Sequence, residues 1–179
     1  MHRIGRIRRE ARIPESQREN HILFFFRQQM VLFVMAHEVG HVYRGHLDKP
    51  KPRDRSERQA QELEADEFAA DLMFRQRVYY PPGFEFSMIP DVAADEVKTT
   101  WARQTLQAVS LLLVLYEMFD QAAAQLKVSW SEDHPPAPDR YALVRQVCVG
   151  EGFDLATEIQ PADDVFAMLQ QISATFDWS

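Results

Sequence analysis

The most constraining feature of the sequence is a polar, charged block inside an otherwise apolar helix. From Arg27 to Leu47 the apolar residues lie all round a helical wheel, which is typical of a central, buried helix. His37, Glu38 and His41 interrupt this apolar helix. Burial of such groups is costly unless something satisfies them. The block therefore predicts that a partner in the interior of the fold binds these side chains.

The spacing of the two histidines is that of a metal site. Residues four apart share a helix face, so His37 and His41 present two imidazoles to one ion at the spacing that tetrahedral zinc requires. Glu38 lies about 100° round the helix from His37, where its carboxylate reaches a water beside the metal without binding the metal. This position predicts a general base. The alternative is a pair of hydrogen-bonded core histidines beside an incidental glutamate.

A third ligand is expected from the second helix, predicted at about Glu57 to Gln76, because a catalytic zinc usually takes three protein ligands. Glu62 and Asp66 fall on a face lined with alanines, which we expect to pack on the first helix. Glu62 is therefore predicted to bind zinc, and Asp66 to accept a hydrogen bond from a ligand histidine. Three other acids of this helix cluster on the opposite, solvent-facing side: Glu64, Glu67 and Asp71.

His46 is not expected to be a ligand. The metzincin pattern places a glycine seven and a histidine ten residues after its first histidine, and the corresponding residues here are Arg44 and Leu47. His46 is instead predicted to lie at the helix end or behind a ligand.

The motif at 37–41, followed by Glu62, Ala65 and Asp66, resembles the two-helix zinc core of gluzincin metallopeptidases. It is similar to the CAAX prenyl endopeptidase and heat-shock membrane peptidase family. It is also similar to small soluble phage-associated peptidases of the ImmA/IrrE and Lit types. The resemblance implies a zincin-like fold that hydrolyses peptide bonds.

A second segment, His134-Pro135-Pro136 followed by Arg140, resembles the His-Pro motif that approaches the active site in the prenyl endopeptidase family. On this resemblance we expect His134 to donate a hydrogen bond to the tetrahedral oxyanion. Arg140 either pairs with a carboxylate of the site or lies on the surface of its helix. The alternative for His134 is a loop histidine held by the two prolines.

The expected fold is mainly α, with a zincin-like two-helix active-site core, a minimal N-terminal strand from His21 to Phe26, and additional C-terminal helices. At 179 residues the chain has the size of one domain. We expect a basic N-terminal arm over residues 1–20 and a single domain over residues 21–179. The long loop from Tyr79 to Pro90 is expected to be functional.

Three further helices complete the predicted fold, at about Asp95 to Leu126, from Pro138 to the glycine at 150, and from Pro161 to about Phe176. The uncharged segment 104–116 of the first of these is too short for a bilayer, which requires about 20 apolar residues. We therefore expect no transmembrane span.

Charge and cysteine content limit the partners and the compartment. The net charge is −7, although the N-terminal arm is rich in arginine, and the single cysteine, Cys148, allows no internal disulfide. Glutamates interleave with the arginines and no nucleic-acid module follows, so a nucleic-acid partner is not expected. The sequence also lacks the pattern of a secretory signal, and the expected location is cytoplasmic.

These observations predict a zinc metallopeptidase, that is, a zinc-dependent endopeptidase acting on protein or peptide substrates. The alternative is a catalytically inactive, zinc-binding regulatory module. Glu38 favours the enzyme, because a purely structural zinc site needs no general base.

Overall fold

The computed structural model describes residues 15–50, 52, 54–75, 94–126 and 134–175. This part of the chain is mainly helical and contains two π-helical turns, Asp71–Arg75 directly after the second α-helix and Leu155–Ile159 directly before the last. Its five α-helices are α1 (Glu15–Tyr43), α2 (Arg55–Ala70), α3 (Ala94–Gln125), α4 (Ala137–Gly150) and α5 (Gln160–Thr175). The predicted bounds of α3 and α5 differ from these by one residue at each end.

The prediction of a strand at residues 21–26 is wrong, because α1 passes through them without interruption. A short apolar run does not by itself distinguish a strand from a helix. No glycine or proline separates this run from the helix that follows, so nothing in the sequence ends the helix there. Extension of the helix through the run is favoured, because each added helical residue gains a backbone hydrogen bond. The ring of Phe25 packs edge-on against Trp101 of α3, with the ring centroids 4.9 Å apart.

Two other predicted regions lie wholly or partly outside the described residues. The loop from Tyr79 to Pro90 is one of them, and residues 1–14 of the predicted basic arm are the other. Residues 15–20 of that arm belong to α1, so the predicted boundary between arm and domain falls inside this helix.

The core lies where α1 and α2 meet α3, α4 and α5. α1 contacts both α2 and α3, α2 contacts α4, and α3 contacts α5. One cluster of buried residues joins all five helices and both π-helical turns. Its largest fully buried members are Phe33, Met73, Phe74, Leu106, Val109, Leu113, Val144 and Ile159.

The apolar segment of α3 contributes to this core. Leu106, Val109 and Leu113 are each at most 2% exposed. No helix in the described ranges combines the length and the hydrophobicity needed to cross a bilayer.

α1 is apolar all round, but only one of its sides is buried. Phe33 and Ala36 lie in the core, at 1% and 6% exposure. The opposite side is at least half exposed at Val31, Met35, Val39 and Val42. The prediction of a helix buried on every side is therefore wrong for the described structure.

Small residues bring α1 and α2 close together at the level of the histidines. A Cβ atom on Gly40 would lie 3.0 Å from both Cα and the carbonyl oxygen of Ala65, and 3.2 Å from Cβ of Phe68. Ala65 and Ala69 are fully buried on the facing side of α2. This close approach allows imidazoles of α1 to reach carboxylates of α2.

We predict that Gly40→Ala destabilises the fold by about 1–3 kcal/mol, because the added methyl group meets backbone atoms that cannot move aside. Alanine is normally the better helix former by up to about 1 kcal/mol, so a net loss reports the clash itself. Urea unfolding monitored by circular dichroism measures the change.

Gly150→Ala is the matched control, since this glycine is also in a helix and a Cβ atom there meets nothing within 4 Å. Equal free energies of unfolding for the two variants would show that α1 and α2 do not require the glycine.

Candidate metal centre

Three side chains from α1 and α2 converge on one point. Nε2 of His37 and Nε2 of His41 are 3.1 Å apart. Oε2 of Glu62 lies 3.2 Å from Nε2 of His37, and Oε1 lies 3.5 Å from Nε2 of His41. One ligand atom from each of the three lies within 4.8 Å of the other two, which is close enough to share a metal ion.

The ring of His37 contacts a buried ion pair formed by Asp66 and Arg140. Its Nδ1 lies 2.9 Å from Oδ1 of Asp66, which is fully buried. Arg140 of α4 donates two hydrogen bonds to the same carboxylate, from Nε to Oδ2 at 2.6 Å and from Nη2 to Oδ1 at 2.8 Å. The sequence left open whether Arg140 pairs with a site carboxylate or lies on the surface of its helix. Arg140 is 2% exposed and pairs with the site carboxylate.

At the other end of the site, the ring of His41 contacts His46, which in turn contacts Glu64. Its Nδ1 lies 2.9 Å from Nδ1 of His46, and Nε2 of His46 lies 2.9 Å from Oε2 of Glu64. Sequence reasoning placed Glu64 on the solvent-facing side of α2 and gave it no role. Its side chain is 48% exposed, yet its carboxylate reaches the buried ring of His46.

His134 lies beside the third predicted ligand. Its Nδ1 is 3.0 Å from Oε2 of Glu62, and its backbone carbonyl accepts a hydrogen bond from Nε2 of Gln59 at 3.3 Å. The ring stacks on Tyr116 of α3, with centroids 5.9 Å apart and an interplanar angle of 20°. The guanidinium of Arg140 lies over the same tyrosine ring, 5.6 Å from its centroid.

Tyr116 was missed by sequence reasoning. It is one of several aromatic and aliphatic side chains in the apolar part of α3, and nothing in its local spacing distinguishes it. Its place beside His134 results from the packing of α3 against the segment that precedes α4.

Glu38 is exposed, next to His37 on α1. Burial lowers the pKa of His41, and the nearby negative charge of Glu38 partly opposes this shift. Glu38 is therefore exposed near the cluster and is not one of the three converging side chains.

The carboxylates of the cluster stabilise positive charge on His37. Burial opposes the charge on His37, but contacts with the carboxylates of Asp66 and Glu62 outweigh it and raise the pKa of His37 to about 9. Burial likewise opposes the charge on Glu62, but contacts with His134 and His37 hold the pKa of its carboxyl well below the usual range. The site thus retains positive charge against ionised carboxylates.

The same residues fit a zinc ion. With Nδ1–H of a neutral His37 donated to Asp66, Nε2 of this ring carries a lone pair that faces His41 and Glu62. Oε2 of Glu62 is buried and has no hydrogen-bond partner of adequate geometry, although Nδ1 of His134 is near. Two imidazoles and a carboxylate form a known ligand set of catalytic zinc.

Comparison with known protein families finds a match that covers most of the chain. Residues 9–151 match the model of a family described as Peptidase U49. The matched range contains every site residue described above. No curated protein and no solved structure matches the chain.

The raised pKa of His37 predicts how stability depends on pH when a chelator keeps the protein metal-free. The unfolded value is 6.5 and the folded value about 9. The stabilisation is therefore complete below pH 6.5 and is lost as pH rises through about 9. We expect the free energy of unfolding to fall by roughly 3 kcal/mol over this range.

Urea titrations near pH 7 and above pH 9 measure the fall. His37→Gln removes the titrating ring and should flatten the profile over the same range. An equally steep fall in His37→Gln would assign the effect to another group.

Proposed function

Because the chain belongs to the peptidase U49 family, we propose that it is a zinc-dependent endopeptidase whose metal is held by His37, His41 and Glu62. The convergence of these three electron-pair donors carries the proposal. The buried Oε2 of Glu62, whose contacts with His37 and His134 lack the geometry of a full hydrogen bond, supports it further. When bound, zinc supplies a Lewis acid that lowers the pKa of water and polarises the scissile carbonyl.

The two-helix arrangement supports a zincin-like core of the gluzincin type. α1 carries the HExxH motif, and α2, which packs closely against it, carries the carboxylate. The proposed substrates are proteins or peptides, as the family membership suggests.

Glu38 is the proposed general base. Its exposed carboxylate lies beside the ligands but outside their group, so it is accessible to water and substrate. It takes a proton as the water oxygen attacks the carbonyl carbon, and it returns that proton to the amine nitrogen as the C–N bond breaks. The products are a free carboxylate and a free amine.

Asp66 and Arg140 act through His37. Asp66 accepts the Nδ1–H hydrogen bond of His37 and thereby fixes the tautomer that leaves Nε2 free to bind zinc. Burial of the Asp66 carboxylate is costly, and the bidentate contact with Arg140 compensates its charge. Hydrogen bonds from Arg140 and His37 outweigh burial and lower the pKa of Asp66, which keeps it ionised as an acceptor.

His134 is the proposed donor to the oxyanion of the tetrahedral intermediate. Nδ1 faces Glu62, so Nε2 is the ring nitrogen left for the oxyanion, and it donates there only in the imidazolium form, in which both ring nitrogens carry a proton. Stacking on Tyr116 and the backbone hydrogen bond from Gln59 hold the ring at the edge of the cluster. Removal of one such donor typically costs about 100-fold to 1000-fold in kcat in acyl-transfer enzymes.

The proposal predicts one zinc ion per chain, measured by elemental analysis of the purified protein after dialysis. Glu62→Ala should weaken zinc binding strongly, because it removes one of three ligands. Glu67→Ala is the matched control, since this glutamate is also on α2 but pairs with the exposed Arg44. Equal zinc affinity of the Glu62→Ala variant and the parent would contradict the ligand assignment.

Glu38→Gln separates catalysis from metal binding. This variant should fold and keep its zinc, because the side chain is not a ligand. Peptide hydrolysis should fall by about two to four orders of magnitude, the usual contribution of a positioned base. The measurement is a cleavage screen of a peptide library by mass spectrometry, run with the parent and the variant in parallel.

Two outcomes of that screen contradict the assignment. Loss of zinc in Glu38→Gln would show that the side chain binds metal. A zinc-loaded parent that cleaves no more peptides than the variant would favour the inactive regulatory module.

A further inference from the structure

α1 ends in a glycine turn that brings His46 back to the site. The backbone N–H of His46 donates to the carbonyl of His41 at 2.9 Å, and that of Gly45 donates to the carbonyl of Val42 at 3.0 Å. These two bonds form a Schellman motif, in which the residue after the helix adopts a left-handed conformation. Gly45 has φ of +68° and meets this requirement. The turn places the ring of His46 against that of His41.

The ring of His46 then bridges His41 and a carboxylate of α2. Both of its nitrogens are engaged, Nδ1 with Nδ1 of His41 and Nε2 with Oε2 of Glu64, each at 2.9 Å. His46 is 8% exposed, so water has little access to its ring, whereas the Glu64 side chain at the end of the bridge is 48% exposed.

The chemistry of the bridge fixes its direction when zinc occupies the site. An ionised carboxylate only accepts, so Nε2–H of His46 donates to Glu64. Zinc binds a lone pair on Nε2 of His41, which leaves the proton of that ring on Nδ1. Nδ1–H of His41 therefore donates to the lone pair on Nδ1 of His46.

We propose that His46 and Glu64 are positioning residues for zinc, acting on His41 as Asp66 and Arg140 act on His37. This inference rests on the proposed function. The chain from Glu64 through His46 holds the His41 ring in the orientation and tautomer that present Nε2 to the metal. α2 thereby supplies one proposed ligand and supports both histidines of α1.

A neighbouring ion pair between Arg44 and Glu67 provides a comparison for the contact between His46 and Glu64. Arg44 donates from Nη2 to Oε2 of Glu67 at 3.1 Å, and so also links the end of α1 to α2. The Glu67 side chain is 51% exposed, close to the 48% of Glu64. This ion pair joins the end of α1 to α2 without passing through a site histidine. Glu67→Ala is therefore the matched control for Glu64→Ala.

The test measures zinc affinity of the full chain by competition with a chromophoric chelator. His46→Phe keeps an aromatic ring but removes both hydrogen bonds, and we expect affinity to fall by about 10-fold to 100-fold. His46→Asn places an amide oxygen near the position of Nδ1 without reaching Glu64, so it should recover part of that loss. Glu64→Ala should lower affinity by less than His46→Phe, and Glu67→Ala should stay within about twofold of the parent.

A second readout follows the ring protons directly. In ¹⁵N-histidine NMR spectra of the zinc-loaded parent, His46 should appear as the Nε2–H tautomer and His41 as the Nδ1–H tautomer. Glu64→Ala should shift the His46 ring nitrogens, whereas Glu67→Ala should leave them unchanged. A role confined to fold stability moves neither the tautomer nor the affinity.

The outcomes separate this inference from the proposed function. Zinc affinity within about twofold of the parent in both Glu64→Ala and a folded His46 variant would overturn the positioning role and leave the zinc site intact. If His46→Phe fails to fold, His46→Asn and Glu64→Ala decide the question by the same criterion. A parent chain that binds no zinc would overturn the proposed function and this inference with it.

Discussion

The buried carboxylate of Asp66 is the group on which the rest of the structure depends. It has no exposed surface, and its charge is compensated by Arg140 of α4 and by the hydrogen bond to His37 of α1. Loss of the contact with Arg140 would leave an uncompensated charge in the interior, which is strongly destabilising. Asp66 thus links α1, α2 and α4 at one point, and the orientation of the His37 ring depends on this link.

Local periodicity explains how much could be predicted from the sequence. The helical wheel groups His37 with His41 and Glu62 with Asp66, and the structure brings these side chains together because each pair shares one helix face. The helical class and the bounds of the later helices follow from composition and from proline and glycine positions. The strand at 21–26 failed because a short apolar run is compatible with either secondary structure.

The contacts that could not be predicted are those between distant segments. Arg140 and Asp66 are 74 residues apart, and no local spacing encodes their pairing. Glu64 was assigned to solvent from the helical wheel of α2 alone, whereas its carboxylate contacts the ring of His46, which the turn at Gly45 brings to α2. A helical wheel describes one helix at a time and does not include contacts with side chains from a neighbouring turn of the chain.

The π-helical turn at Asp71–Arg75 continues α2 but changes the direction in which the side chains of this continuous helical rod point. Each such turn is wider than an α-helical turn and shifts the angular phase of the residues that follow. Consecutive side chains, Met73 and Phe74, are both 1% exposed in the core, while the earlier part of the rod faces the histidines. A deletion therefore has different effects at different places. Removal of one residue within the π-helical turn would rotate the core-facing residues Met73 and Phe74 relative to the part of α2 that faces the histidines. A change of length in the loop before α2 would leave this relative rotation unchanged.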